Sequence, residues 1–222
     1  RKKNQLAAVY QAMFDQDASQ VIALCQQELT QDSRYQQFCK RVMIENLLML
    51  TRYDEAEIIL QSALAQRRSG WAILLQAKLC FEQGRFQDSL ALCQEAIADN
   101  RYFAEAYDIQ AKNHLALGNA DLAFASIKAA AEIAPFSMAR QYLVMDIARQ
   151  LDNIPQQVQA SKQLYEITRR SIKQDVIHLL NYIRVVIDAA IRCSDATQRN
   201  RYLQEVSLAL QLVKRDEVMT RE

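Results

Sequence analysis

Turn-forming residues are scarce: three glycines and two prolines are spread over 222 residues. Sheets need tight turns between their strands, and so small a supply excludes a strand-rich fold. An excess of either charge is missing as well, since 27 Lys and Arg stand against 26 Asp and Glu for a formal net charge of +1. Nothing global therefore draws the chain to nucleic acid or to an anionic membrane. No run approaches 18 uninterrupted apolar residues, and no charged-apolar-small leader opens the chain, so neither a nucleic-acid nor a membrane partner is expected.

Catalytic patterns are absent too. The five cysteines, Cys25, Cys39, Cys80, Cys93 and Cys193, are odd in number and lack C-x-x-C or histidine-paired spacing. This argues against a disulfide framework and against a zinc site, and it suits a reducing, cytoplasmic setting. The two histidines, His114 and His178, lie 64 residues apart, and no Gly-rich phosphate loop, G-x-S-x-G or H-E-x-x-H occurs. The thiols and imidazoles are expected to pack, and the chain is expected to be no enzyme, with no catalytic residue, cofactor or metal.

What is present is helix-forming. Ala, Leu, Gln, Glu, Arg and Ile dominate, and half the residues are hydrophobic, so an all-α protein with an ample core is expected. Within it, Gly84 and Gly118 stand 34 apart, and LLQAKLCFEQGRFQDSLALCQEAI aligns with DIQAKNHLALGNADLAFASIKAAA. Gln76-Ala77-Lys78 recurs as Gln110-Ala111-Lys112, Ser89 falls on Ala123, and Ala96 falls on Ala130. Each unit reads as two antiparallel amphipathic helices, with the glycine capping the first in a left-handed conformation. The small residues mark where the second helix approaches its neighbours. Ala134-Pro135 closes the second copy.

This combination resembles the tetratricopeptide repeat (TPR), through Ala77, Gly84, Phe86, Ser89 and Ala96 in one unit and Ala111, Gly118, Ala123, Ala130 and Pro135 in the next. Gln76 and Gln110 stand where the family has leucine, and Ala120 where it has an aromatic. Upstream, Tyr53, Ala56 and Ala63 fit with a register of 33; before them Tyr10 to Leu29 reads as a unit with Gln16-Asp17 in its turn. Downstream, Asp152-Asn153-Ile154 lies 34 after Gly118. The resemblance implies a right-handed α-α superhelix of about five repeats, at 2–36, 37–69, 70–103, 104–137 and 138–171. Residues 172–222 are expected to extend the stack as a longer helix pair. Its first helix is read from Ile172 to Cys193 with a stripe of Val176, Leu180, Ile183, Ile187 and Ile191; its second carries Leu203, Val206, Leu210 and Val213.

Proteins of this family hold a peptide or helix in the concave groove lined by the first helices. Carrying over the groove positions gives Phe38, Arg41 and Glu45; Trp71, Leu74, Lys78 and Phe81; Glu105, Asp108 and Lys112; and Tyr142 and Asp146. Trp71, the sole tryptophan, is either a binding anchor or a cover over the joint between two units. Lys78 and Lys112 either receive an acidic ligand or pair with Glu45 and Asp146 of adjoining units, an exposed pairing worth about 0–1 kcal/mol. A carboxylate clamp of the chaperone-binding kind is not expected, because Glu105 and Asp108 stand where it needs cations.

The opening RKKNQLAAVYQAMFDQDASQVIALCQQEL, the unit end RYDEAEIILQSAL and the Trp-Ala start that follows are similar to bacterial response regulators carrying these repeats after a chemotaxis-type receiver. That resemblance implies an output module that docks a protein partner, with Arg1-Lys2-Lys3 as the exit from the last helix of an upstream receiver domain or as the linker after it. Two other readings stand beside it. One is a ligand- or peptide-sensing helical-repeat domain of a transcriptional regulator; the other is a homodimer formed through the C-terminal helices.

Overall fold

The computed structural model describes residues 2–30, 35–169 and 176–219, and in them the chain is all-α with no strand. It divides into two compact units, Arg1–Leu117 and Gly118–Glu222. The first holds α1 (Lys2–Phe14), α2 (Ala18–Leu29), α3 (Gln36–Met49), α4 (Tyr53–Gln66), α5 (Gly70–Glu82), α6 (Phe86–Asp99) and α7 (Ala104–Ala116). The second holds α8 (Ala120–Ile133), α9 (Met138–Gln150), α10 (Ile154–Arg169), α11 (Val176–Arg192) and α12 (Ala196–Met219). Arg1 and Ile172, named above, lie outside the described residues.

The corners explain the repeat. Gln16, Thr51, Gly84, Gly118 and Asp152 all have positive φ, between 53° and 76°, at intervals of 35, 33, 34 and 34 residues. Around Gly84 two backbone bonds close the corner: Gly84 N–H donates to Phe81 O at 2.9 Å and Arg85 N–H to Cys80 O at 2.8 Å. The same pair recurs at Thr51 and Arg52, which donate to Leu48 O and Leu47 O, and at Asp152 and Asn153, which donate to Arg149 O and Ala148 O. This is the Schellman arrangement, in which a left-handed residue lets the last carbonyls of a helix find donors. Two of the five corners use glycine; the others bear the steric cost that a Cβ incurs in that conformation.

In the first unit α4 and α6 meet their neighbours through small residues. Ala56, Ala63, Ser89 and Ala96 are fully buried, as are Ala77 and Ala111 on first helices. Ser89 does more than leave room. Its hydroxyl donates to Ala77 O at 2.7 Å and accepts from Asn113 Nδ2 at 2.7 Å, while the same Nδ2 donates to Ile109 O at 2.9 Å. One hydroxyl thereby ties α5, α6 and α7 together inside the core.

In the second unit, α9 closes the end of α8. Arg140 Nη1 donates to Ala134 O at 2.9 Å and Gln141 Nε2 to Pro135 O at 3.0 Å, so side chains from α9 occupy carbonyls of the turn that follows α8. Tyr165 and Tyr182 stack with centroids 6.3 Å apart, and Tyr182 Oη donates to Glu205 at 2.7 Å, joining α10, α11 and α12. The stripe expected on α11 is corrected. Of its members only Ile183 is buried, and the core face is instead His178, Leu179, Tyr182, Val186, Ala189 and Ala190. Both sides of this helix are apolar at helical spacing, so periodicity alone could not choose between them. On α12, likewise, Tyr202 and Ala209 are buried while Leu203 and Leu210 are exposed.

At Gly84 an added Cβ would meet nothing within 4 Å, so its substitution tests backbone conformation alone. Gly84→Ala should lower unfolding free energy by roughly 1 kcal/mol, and Thr51→Gly should raise it by a few tenths or more. Urea titrations with unchanged slope read both; equal stability of Gly84→Ala and the parent would reject this account.

Candidate protein-binding surface

Three first helices of the first unit run in sequence, with α3 packed on α5 and α5 on α7. The structure places the expected groove residues on them unequally. Phe38 is half-buried, its ring 5.5 Å from that of Tyr10 on α1. Trp71 is half-buried and packs on the core cluster of α1 to α5 that includes Leu60, Ala72 and Leu75. Phe81 lies 5.7 Å from Phe86 across the Gly84 corner. Leu74 is 8 % exposed and belongs to a cluster with Ile73, Ala96 and Ala106, so its side chain serves packing. Glu105 and Lys112 are exposed, and Asp108 and Lys78 are half-buried.

The charge pairing expected between adjoining repeats does not form in the first unit. Glu45 accepts from Arg41 of its own helix at 2.9 Å, not from Lys78. In the second unit Asp146 accepts from Arg149, again of its own helix, at 3.2 Å. Partners three or four residues apart on one helix are already held near each other, so little chain entropy opposes the contact. Among the described residues neither Lys78 nor Lys112 forms an ion pair.

Four groove-position residues lie outside the sequence-derived set. Counting the same first-helix positions into 2–36 reaches Tyr10, Met13 and Phe14, and the last such position of 37–69 is Met49. All four are exposed, Phe14 by 83 % and Met49 by 68 %. The signal for them is the position series itself, which the sequence reading carries only from Phe38 onward. Large apolar side chains left in water on helices that present Arg41 and Glu45 make a mixed surface suited to another polypeptide.

Four of the cysteines are buried. Burial pushes the thiols of Cys25 and Cys93 up to about 12, and those of Cys39 and Cys80 upward as well, so these sulfurs stay protonated at neutral pH. His114 is half-buried, its Nδ1 is buried without a hydrogen-bond partner, and burial lowers its pKa. His178 is buried, with Nδ1 3.3 Å from the hydroxyl of Tyr142. Among the described residues no group of three His, Cys, Asp or Glu gathers as metal ligands, and no helix is long and apolar enough to cross a membrane. The second unit also has a cleft of about 220 Å³ between α8 and α10 above α9, flanked by Lys128, Glu132, Gln156 and Gln163.

No family model matches the chain, and a comparison with curated proteins finds no match. Solved structures do match. A thermophilic TPR protein of Thermus thermophilus superposes with a TM-score of 0.68 at 13 % identity, over 84 % of this chain and 100 % of that one. PilF of Pseudomonas aeruginosa does so with a TM-score of 0.65 at 14 % identity, over 99 % of this chain and 97 % of that one. MamA, residues 41 to the end, from Desulfovibrio magneticus gives 0.58 at 11 % identity, over 77 % and 97 %. At such identities the likeness is one of fold, and the fold is that of a TPR-type helical repeat.

Trp71 separates its two readings by stability. Packed as it is on the α1 to α5 cluster, Trp71→Ala should lower the unfolding free energy by about 2 kcal/mol or more. A side chain kept only for a partner would change it by about 0.5 kcal/mol or less. Chemical denaturation of the free protein distinguishes them.

Proposed function

We propose that the chain is a non-enzymatic protein-binding scaffold, and that its first unit receives a partner peptide or helix along the first helices. The observation carrying this reading is the set of exposed or half-buried apolar side chains Tyr10, Met13 and Phe14 on α1 and Phe38 and Met49 on α3, with Lys78 and Lys112 on α5 and α7. Apolar side chains supply anchoring area, and two ammonium groups on packed neighbouring helices favour an acidic residue on the ligand. Arg41 and Glu45 neutralise each other between these zones. The ligand drawn by this pattern has aromatic or aliphatic anchors and an acidic stretch one or two helix spacings away. Phe81, Glu105, Asp108 and Trp71 border that path, and Tyr142 and Asp146 are the corresponding residues of the second unit.

The finer reading is the output module of a bacterial, cytoplasmic two-component response regulator, docking its target under control of a receiver domain upstream. Its support is the resemblance of the opening helices and of the Trp71-Ala72 start. The reading frame upstream of Arg1 tests it directly: an α/β domain with clustered acids and a phosphoacceptor aspartate is expected, and any other domain there rejects it.

The groove is tested by reversing its charge. Partners retained by the immobilised chain are compared with those retained by Lys78→Glu/Lys112→Glu, whose surface changes should leave the fold intact. At least one partner held by the parent should weaken by roughly tenfold or more. An unchanged set with unchanged affinities would remove the groove assignment.

A further inference from the structure

A water-soluble helix ordinarily has one apolar face, and a helix apolar all round is ordinarily a buried one. Helix α11 stands between these cases. One side buries Leu179, Tyr182, Ile183, Val186, Ala189 and Ala190 against α10 and α12. The exposed side next to it carries Val176, Leu180, Ile187 and Ile191, each exposed by 40 % to 77 %. On that side the charged residues are Arg184 and Asp188, with Arg192 beside them. Arg192 is taken up by Asp152 and by Asp188, the latter at 3.7 Å, whereas Arg184 forms no ion pair among the described residues.

The spacing of these residues reads the same in either direction. Leu180, Arg184, Ile187 and Ile191 alternate intervals of four and three, the interval at which two helices interdigitate. Reversing the helix about the midpoint between Val185 and Val186 exchanges Leu180 with Ile191 and Arg184 with Ile187. A symmetric dimer needs a patch complementary to itself under a two-fold axis, and a seam spaced four-three-four meets that condition in its spacing, which leaves the charges to select the partner.

We infer that this face of α11 is an interface with a second copy of the chain, the two α11 helices packed antiparallel about that midpoint. Leu180 then shares a layer with Ile191 of the second copy, and this occurs twice. Asp188 of the second copy comes level with Ile183, one residue from Arg184, so each unpaired guanidinium meets a carboxylate across the interface. The charges thus select the antiparallel register, because a parallel pairing would set Arg184 against Arg184. The surface belongs to the second unit and does not depend on the groove reading for the first.

Charge exchange tests the pairing. Sedimentation of the parent chain across a concentration series should show a monomer–dimer equilibrium. Arg184→Asp sets carboxylate against carboxylate and Asp188→Arg sets guanidinium against guanidinium, so each alone should weaken the dimer by roughly tenfold or more. Mixed in equal amounts, the two variants should dimerise with each other, since both contacts then join opposite charges. Circular dichroism matching that of the parent shows that the exposed substitutions leave the helices intact. A parent that stays monomeric throughout, single variants that dimerise as the parent does, or a mixture no better than its components would each overturn the inference. The Lys78→Glu/Lys112→Glu chain should dimerise like the parent, which keeps this result separate from that of the groove.

Discussion

The architecture hangs on one backbone conformation repeated at the corners. An α-helix that ends in water leaves its last carbonyls without intrahelical donors, and a single left-handed residue turns the chain so that the next two N–H groups supply them. Here that conformation recurs at Gln16, Thr51, Gly84, Gly118 and Asp152. Such a corner sends the chain back along the helix it has just left, so within each unit a first helix acquires an antiparallel second helix. Side-chain packing then decides how closely the pairs approach. Ala and Ser at the buried crossings set that distance, and the larger residues beside them fill what remains.

This order of causes explains what the sequence revealed. The corners written with glycine were legible at once, and they fixed α5 to α8 along with the small residues Ala77, Ser89, Ala96, Ala111, Ala123 and Ala130. Gln16 and Asp152 could be placed only by counting from those glycines, because side-chain chemistry does not announce a left-handed glutamine or aspartate. Thr51 gave still less warning. A β-branched residue is poorly suited to positive φ, and the register of 33 was the only hint that a corner stood there.

The surface was harder to read than the fold, for two reasons. Periodicity identifies an apolar face only when the opposite face is polar, a condition α11 does not meet; Val176, Leu180, Ile187 and Ile191 are exposed while Leu179, Tyr182 and Val186 carry the core. Charge pairing at Glu45 and Asp146 forms within a helix and not between repeats. Arg41 and Arg149 sat within one turn of Glu45 and Asp146, and a partner on the same helix is favoured over one reached across a gap. Leu74 shows a smaller version of the same difficulty, since a groove position inherited from a family pattern can be occupied by a side chain whose volume the core uses.

The Ser89–Asn113 contact gives the array an address. At 34 residues before Asn113 stands the buried Leu79, and at 34 after Ser89 stands the buried Ala123. The two best-matched repeats are therefore not interchangeable. A chain rebuilt with their order exchanged would face Asn113 with an alanine methyl in a water-free crossing, leaving its amide short of an acceptor. The two repeats are alike in their corners and small residues, but one carries the polar donor Asn113 and the other its acceptor Ser89. Exchanging whole repeats at this joint therefore costs a buried hydrogen bond, which exchange between neighbours that meet through carbon alone would not.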